Sequence, residues 1–175
     1  TLLVIACVTA VILSMAAYYD TNMRSGLENK ARTTTDFFSN YIGQSYNEYY
    51  QSCIKFAKTF EEKDKLELQF ISTGGKIVAS SYGKFAGRSP STPDIQQAID
   101  TQKVSVYKGR NPSTGERILA VSSPMIYTNG EVIGVLRYVT SLHNADLQVL
   151  MIALIAATVG LLFIAAIFFM SSFFI

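Results

Sequence analysis

The sequence is poor in the residues that most often carry chemistry. It holds one histidine, His143, two cysteines and no tryptophan. A lone histidine cannot supply a catalytic triad, and the chain has no G-x-S-x-G, H-E-x-x-H or P-loop motif. Cys7 and Cys53 lie far apart and lack metal-ligand neighbours, so both are interpreted as packing residues. We therefore expect no catalytic residue, metal or cofactor in this segment, and His143 is interpreted as a solvated turn residue.

Charge is missing from both ends of the chain. All 15 Lys/Arg and all 13 Asp/Glu lie between Asp20 and Asp146. An apolar stretch of about 20 residues is long enough to cross the hydrocarbon of a bilayer as a helix. We predict membrane-spanning helices over 1–19 and 147–175, in contact with lipid, and a polar domain over 20–146. The net charge of +2, without a basic cluster, argues against a nucleic-acid partner.

An alternative interpretation of the first apolar stretch is a cleaved signal peptide. Ser14, Met15 and Ala16 form an acceptable small-x-small cleavage site. The absence of an initiator methionine, and an end inside the second apolar stretch, lead us to expect further chain on both sides.

A helical stripe follows the first span. Apolar and small residues recur at steps of three and four from Leu27 to Phe60, which predicts a long helix over about 24–60, with Gly26 as a weak point. Four tyrosines belong to this helix: Tyr41, Tyr46, Tyr49 and Tyr50.

After this helix the pattern changes to strands, over about 66–142. "LELQFIS" and "KIVASS" flank the turn at Gly74 and Gly75, and "KVSVYK", "ERILAVSSPMI" and "EVIGVLRYVTSL" follow. Between the two groups lie a Gly/Pro/Ser-rich loop and a short helix, "IQQAIDT", for which Asp94 is the predicted cap. We predict an α+β fold with a five-stranded antiparallel sheet. The last strand is almost continuously apolar and so needs cover on both faces, by the long helix and by the 82–101 segment.

This order of elements resembles a known family. Span, long helix, PAS-like sheet and span form the architecture of the single Cache (PDC-type) extracytoplasmic sensors of bacterial histidine kinases. The phrases "LELQFISTGGKIVASS", "DIQQAIDTQ", "GRNPSTGERILAVSSPM" and "GEVIGVLRYVTSL" resemble sensor kinases of Gram-positive Firmicutes. The resemblance implies a homodimer in the plasma membrane with the central domain outside. It also implies a cytoplasmic kinase part, absent from this chain, that acts on a response regulator.

The cavity between the 82–101 segment and the sheet is the predicted site for a small anionic ligand. Arginine forks bind carboxylate or phosphate, and hydroxyls orient them. The candidates with these groups near the cavity are Tyr82, Arg88, Tyr107, Arg110, Arg117, Ser122 and Tyr138. Solvated loop arginines are the competing interpretation of Arg88 and Arg110. Arg137 interrupts an apolar strand, and we favour pairing with Glu67 or Glu131, or contact with the headgroups, over contact with a ligand.

The junction "TSLHNAD" joins the last strand to the second span. Leu142, Asn144 and Asp146 are predicted to couple a strand movement to the membrane, with Asn144 or Asp146 capping the helix. Small residues also recur every fourth position in the spans, a spacing that favours close helix packing; they are Ala6, Ala10 and Ser14, then Ala153 with Ala157 and Ala156 with Gly160.

Two other functions use the same features. A chemotaxis receptor or a cyclic-nucleotide enzyme could carry the same sensor. A membrane-anchored domain without enzymatic output could instead present the tyrosine-rich helix to a protein partner.

Overall fold

The computed structural model describes residues 2–39, 45–83, 87–127 and 129–173. The chain forms two compact units, one of Thr1–Met23 with His143–Ile175 and the other of Arg24–Leu142. The second unit contains the sheet and the candidate site.

The predicted long helix is divided into two. Helix α1 spans Leu2–Ser39 and continues through Gly26, while α2 spans Tyr46–Thr59. Ser45 has an extended backbone, and its N–H donates to the Glu48 side chain at 3.0 Å. That pairing is half of a capping box, a start signal that the prediction of one continuous helix overlooked. Residues 40–44, including Tyr41, lie outside the described part of the chain.

The five-stranded antiparallel sheet is confirmed. Its strands are β1 (Glu67–Ser72), β2 (Ile77–Ser80), β3 (Ser105–Arg110), β4 (Arg117–Ile126) and β5 (Val132–Ser141), in the order β2-β1-β5-β4-β3. Strand β5 therefore lies in the centre, between β1 and β4. Seven consecutive residues of β5 are buried, as expected for a strand covered on both faces.

Both predicted hairpins are present. Gly75 between β1 and β2 and Gly130 between β4 and β5 have φ values of 75° and 86°, which glycine adopts without strain. Helix α3 spans Asp94–Thr101, and its N-cap position is occupied by Pro93. The predicted capping role of Asp94 is wrong, because its carboxylate bonds to Ser122 and Arg137 instead.

The two faces of the sheet carry different helices. On one face, Ile95 and Ala98 of α3 pack on Ile71, Ile77 and Val135. On the other, Phe38 of α1 stacks edge-on against Phe56 of α2 and Phe70 of β1, with ring centroids 5.2 and 5.0 Å away.

Cys53 belongs to the α1/α2 side and is buried, which raises the pKa of its thiol to about 12. This agrees with its interpretation as a packing residue.

The first unit pairs the beginning of α1 with α4, which spans His143–Phe173. Both helices contain a stretch long and apolar enough to cross a membrane, with 0% and 6% of it buried. Gly160 of α4 faces Val4 and Val8 of α1, and a Cβ at Gly160 would lie 3.1 Å from Val8 Cγ2. The other predicted small-residue stripe, Ala6, Ala10 and Ser14, is exposed.

Candidate ligand-binding site

A pocket of about 130 Å³ lies on the α3 side of the sheet. The loop before α3 forms one wall, the β3–β4 hairpin forms another, and strand side chains form the floor. Among the described residues its lining comprises Glu67, Gln69, Ile77, Arg88, Ser89, Pro90, Ser91, Thr92, Asn111, Pro112, Ser113, Thr114, Ile118 and Arg137. A cavity of roughly 150 Å³ can bind benzene, so the pocket admits a small ligand of about that size.

Arg137 is the central charged group of the pocket floor. The side chain is only 3% exposed, and each of its three guanidinium nitrogens donates a hydrogen bond. Nε donates to Asp94 Oδ2 at 2.7 Å, Nη1 to Gln69 Oε1 at 3.0 Å and Nη2 to Thr92 Oγ1 at 2.7 Å. The prediction that Arg137 pairs with Glu67 or Glu131, or reaches the headgroups, is therefore wrong. A buried guanidinium is stabilised by a carboxylate that is buried beside it, and Asp94 supplies that carboxylate.

Asp94 is fully buried and ionised. Burial alone disfavours its charged form, but the charge and hydrogen bond of Arg137, with bonds from Ser122 and Thr92, outweigh it and lower the pKa below 3.8. Ser122 Oγ donates to Asp94 Oδ2 at 2.6 Å, the same oxygen that Arg137 Nε contacts. The other oxygen, Oδ1, is buried and has no hydrogen-bond partner among the residues that the structure describes.

Glu67 adds a second carboxylate to the pocket. It accepts hydrogen bonds from Gln69 Nε2 at 2.8 Å and Ser80 Oγ at 2.7 Å, which hold it beside Arg137's partner Gln69. With Arg88 also in the lining, the site combines two arginines with two carboxylates. Among the described residues around the pocket these charges sum to zero.

The predicted ligand-binding residues are dispersed. Arg88 lines the pocket, and Ser122 lies beneath it through its bond to Asp94. Tyr82 is 44% exposed, outside the pocket lining. Whether any of them contacts a ligand stays a prediction.

Three of the other candidates belong to the β3–β4 region. Tyr107 Oη donates to the Arg110 carbonyl at 2.9 Å, and Arg110 Nη1 donates to the Gly115 carbonyl at 3.0 Å. Arg117, at the start of β4, is exposed. The structure places none of these three in the described pocket lining.

Tyr138 lies on the opposite face of the sheet from the pocket. It is buried, and its hydroxyl lies 3.0 Å from Thr34 Oγ1 of α1. Burial raises the pKa of its phenol, so the hydroxyl is protonated at neutral pH. Strand alternation explains the placement, because neighbours such as Arg137 and Tyr138 point to opposite faces.

The junction to α4 is shorter than predicted. Strand β5 ends at Ser141 and α4 begins at His143, so Leu142 alone separates them. Leu142 is buried, and its N–H donates to the Arg117 carbonyl at 2.9 Å. Asn144 and Asp146 lie inside the first turn of α4 and not at its cap, although Asp146 still complements the helix dipole. The interpretation of His143 as a turn residue is wrong for the same reason.

Sequence reasoning missed the residues that hold Arg137: Asp94, Gln69 and Thr92. A signal for two of them was present. Arg137 interrupts an apolar strand, and such a residue needs a carboxylate that shares its burial. Gln69 holds the matching polar position in "LELQFIS", and the register of β1 and β5 pairs it with Arg137.

A second groove, of about 280 Å³, lies between α1 and α2. Its lining is mostly aromatic and hydroxylic, with Lys55 as the charged member: Phe37, Phe38, Ser52, Lys55, Phe56 and Thr59. Across the described residues, no three His, Cys, Asp or Glu side chains come together as metal ligands.

Comparison with known proteins finds the fold among sensor domains. The sensor domain of the Vibrio cholerae histidine kinase DctB superimposes with a TM-score of 0.61 at 16% identity, over 78% of this chain and 57% of that one. The ligand-binding domain of the Campylobacter jejuni chemoreceptor Tlp3, in complex with L-valine, gives 0.61 at 16% identity, over 81% and 61%. The periplasmic domain of Chlamydia trachomatis RsbU gives 0.56 at 14%, over 83% and 56%.

These likenesses show that the chain shares its fold with these sensor domains. This chain matches less than two thirds of the length of each of the three structures. No protein-family model and no curated protein sequence matches the chain.

Proposed function

We propose that this chain is the sensing and transmembrane module of a two-component sensor histidine kinase. The observation that carries the proposal is the position of Arg137. It forms the floor of a polar pocket on β5, and β5 leads into the apolar helix α4 after a single residue. The likeness to the DctB sensor domain supports the kinase as the parent protein. In this proposal a kinase part beyond the chain acts on a cytoplasmic response regulator.

The domain of Arg24–Leu142 lies outside the plasma membrane in this proposal. Two apolar helices accompany it, and a fold relative, RsbU of C. trachomatis, was solved as a periplasmic domain. The first apolar stretch remains as an anchor, because α1 continues from it into the part that packs against the sheet. Protease added to intact cells should cleave the domain and leave cytoplasmic markers whole. Protection of the domain until the cells are lysed would place it inside.

The ligand is a small polar molecule with no net charge, such as an amino acid. The charges around the pocket balance, which favours a zwitterion over the simple anion expected from sequence. Arg88 and the hydroxyls of the loop suit a carboxylate, and Glu67 suits an ammonium group. Tlp3, which shares the fold, was solved with L-valine.

Calorimetric titration of the full chain in detergent micelles tests the ligand. The probes are the twenty amino acids, small dicarboxylates and inorganic phosphate. We expect an amino acid to bind, and Arg88→Gln to weaken it at least about ten-fold, the scale of a lost charge-assisted hydrogen bond. Arg110→Gln is the matched control, because Arg110 is exposed and lies outside the described pocket lining. No heat from any probe at millimolar concentration would refute the ligand proposal.

A homodimer is part of the proposal, joined partly within the membrane. Ala10 lies on the exposed side of α1, while Val4 and Val8 face Gly160 of α4. Small residues on that free side permit a second helix to approach closely. In a background of Cys7→Ser with Cys53→Ser, Ala10→Cys should form a disulfide-linked dimer in membranes. Leu13→Cys, also exposed, serves as the comparison for random collision.

A chemotaxis receptor is the second candidate, because Tlp3 shares the fold to the same TM-score as DctB. The intact gene distinguishes the two. A kinase domain encoded after Ile175 supports the first, and a long coiled-coil signalling domain supports the second.

A further inference from the structure

Polar contacts lie on both sides of the sheet at one place. On the pocket side, Ser122 of β4 and Arg137 of β5 both bond to Asp94 Oδ2, at 2.6 and 2.7 Å. These two residues are directly opposite each other in the β4–β5 register. We call them the cavity-side pair. They join the first turn of α3 to the two longest strands.

The next residue of each strand points the other way. Ser123 Oγ lies 3.0 Å from Thr35 Oγ1, and Tyr138 Oη lies 3.0 Å from Thr34 Oγ1. We call Ser123 and Tyr138 the helix-side pair. Both members are buried, and both reach α1. Consecutive strand residues alternate between faces, so the two pairs are linked by one peptide bond in each strand.

The strands that link the pairs are stiff. Strand β5 is hydrogen-bonded along both edges, to β1 over six residue pairs and to β4. A displacement of the Arg137 backbone therefore carries Tyr138 with it, since one peptide bond joins the two residues. Arg137 is itself tied to Thr92 and Asp94, which belong to the loop and helix that enclose the pocket.

We propose that the cavity-side and helix-side pairs form a relay through the sheet, by which a change at the pocket alters the packing of α1. Helix α1 is continuous from Ser39 back to Leu2, so the relay ends on a helix that contains an apolar span. The relay rests on the proposed sensing function but does not require the ligand to be known. It identifies Thr34 and Thr35 as the receiving residues and Ser123 and Tyr138 as positioning residues.

Hydrogen exchange of the full chain in detergent micelles tests the relay, with Asp94→Asn as the perturbation at the pocket. We expect this change to speed exchange of the 27–39 amides about five-fold or more, and that of α2 amides much less. In a chain that also carries Thr34→Val and Thr35→Val, Asp94→Asn should speed exchange of the 27–39 amides by less than about two-fold. Distant residues without shared partners normally act additively, so this non-additivity is the signature.

Thr33→Val supplies the matched control, because Thr33 is an exposed threonine of the same helix. In that background Asp94→Asn should keep its full effect. If Asp94→Asn prevents folding, Ser122→Ala is used in its place, because it removes one hydrogen bond to the same carboxylate. Additive effects, or equal acceleration in α1 and α2, would overturn the relay. If exchange effects are additive but calorimetry detects a ligand, only the relay is refuted. If calorimetry detects no ligand but the exchange effects are non-additive, only the ligand proposal is refuted.

Discussion

The two faces of the sheet are built from different chemistry. The α1/α2 face is stabilised by stacked aromatic rings, with Phe38 between Phe56 and Phe70. The α3 face contains a small apolar cluster beside a buried ion pair, Asp94 with Arg137. Apolar packing tolerates many partners, whereas a buried ion pair requires one geometry. The comparison indicates that the first face mainly stabilises the domain, whereas the second holds a defined arrangement of charge.

Phe38→Ala should have the largest effect on stability. The side chain is 1% exposed and contacts the rings of Phe37, Phe56 and Phe70, so its removal should lower the free energy of unfolding by about 3–5 kcal/mol. Urea unfolding of the chain in micelles, followed by tyrosine fluorescence, measures it. Phe37→Ala is the control, because Phe37 is 47% exposed and its removal should lower the free energy of unfolding much less. Equal losses would show that the burial of Phe38 does not determine its contribution to stability.

Asp94→Asn should have the next largest effect, on the other face. It leaves Arg137 buried without a carboxylate, which costs about 3 kcal/mol, the lower end for such pairs because Gln69 and Thr92 still accept from it. Asp100→Asn, on the same helix but exposed, should change the free energy of unfolding by less than about 0.5 kcal/mol. A small loss for Asp94→Asn would mean that the ion pair contributes little.

The pH dependence of stability sharpens the same comparison. The pKa of Asp94 is lowered from 3.8 in the folded chain, so its contribution is complete above that pH and is lost as the pH falls through the folded value. The difference in unfolding free energy between the parent chain and Asp94→Asn should therefore be constant above pH 5 and decrease below about 3.8. The loss from Phe38→Ala should not follow this curve, since a phenylalanine does not titrate. A constant difference down to pH 2 would contradict the lowered pKa.

Gly134→Ala should have the smallest of these effects, by overpacking the α1/α2 side of β5. A Cβ there would lie 2.7 Å from the Ile71 carbonyl oxygen and 3.1 Å from Met125 Cε, so the backbone has to shift. We expect a loss of about 1–3 kcal/mol in the same urea measurement. Gly26→Ala is the contrasting variant, because Gly26 lies inside a helix and a Cβ added there would meet nothing within 4 Å. The substitution should raise the free energy of unfolding by about 0.5–1 kcal/mol.

The strands and hairpins were predictable because their signals are local. Alternating residues in "LELQFIS" and the Asn129–Gly130 turn act over a few positions, and the structure confirms both. The long helix was predicted too long, because the stripe of apolar spacing continues across Ser45, where the extended backbone precedes a separate helix. The start signal at Ser45 and Glu48 was present, but the periodicity was given more weight.

The sequence alone determined two apolar stretches, the α+β class and the need of the apolar strand β5 for cover on both faces. Each follows from composition or spacing that has one physical solution, since apolar residues must leave water and backbone groups must pair. Only the tertiary structure decided which residues surround the pocket. Asp94 and Arg137 are 43 positions apart, and they meet because α3 packs across β5. A buried charge selects the partner that the fold brings within hydrogen-bond distance, and no local pattern records that choice.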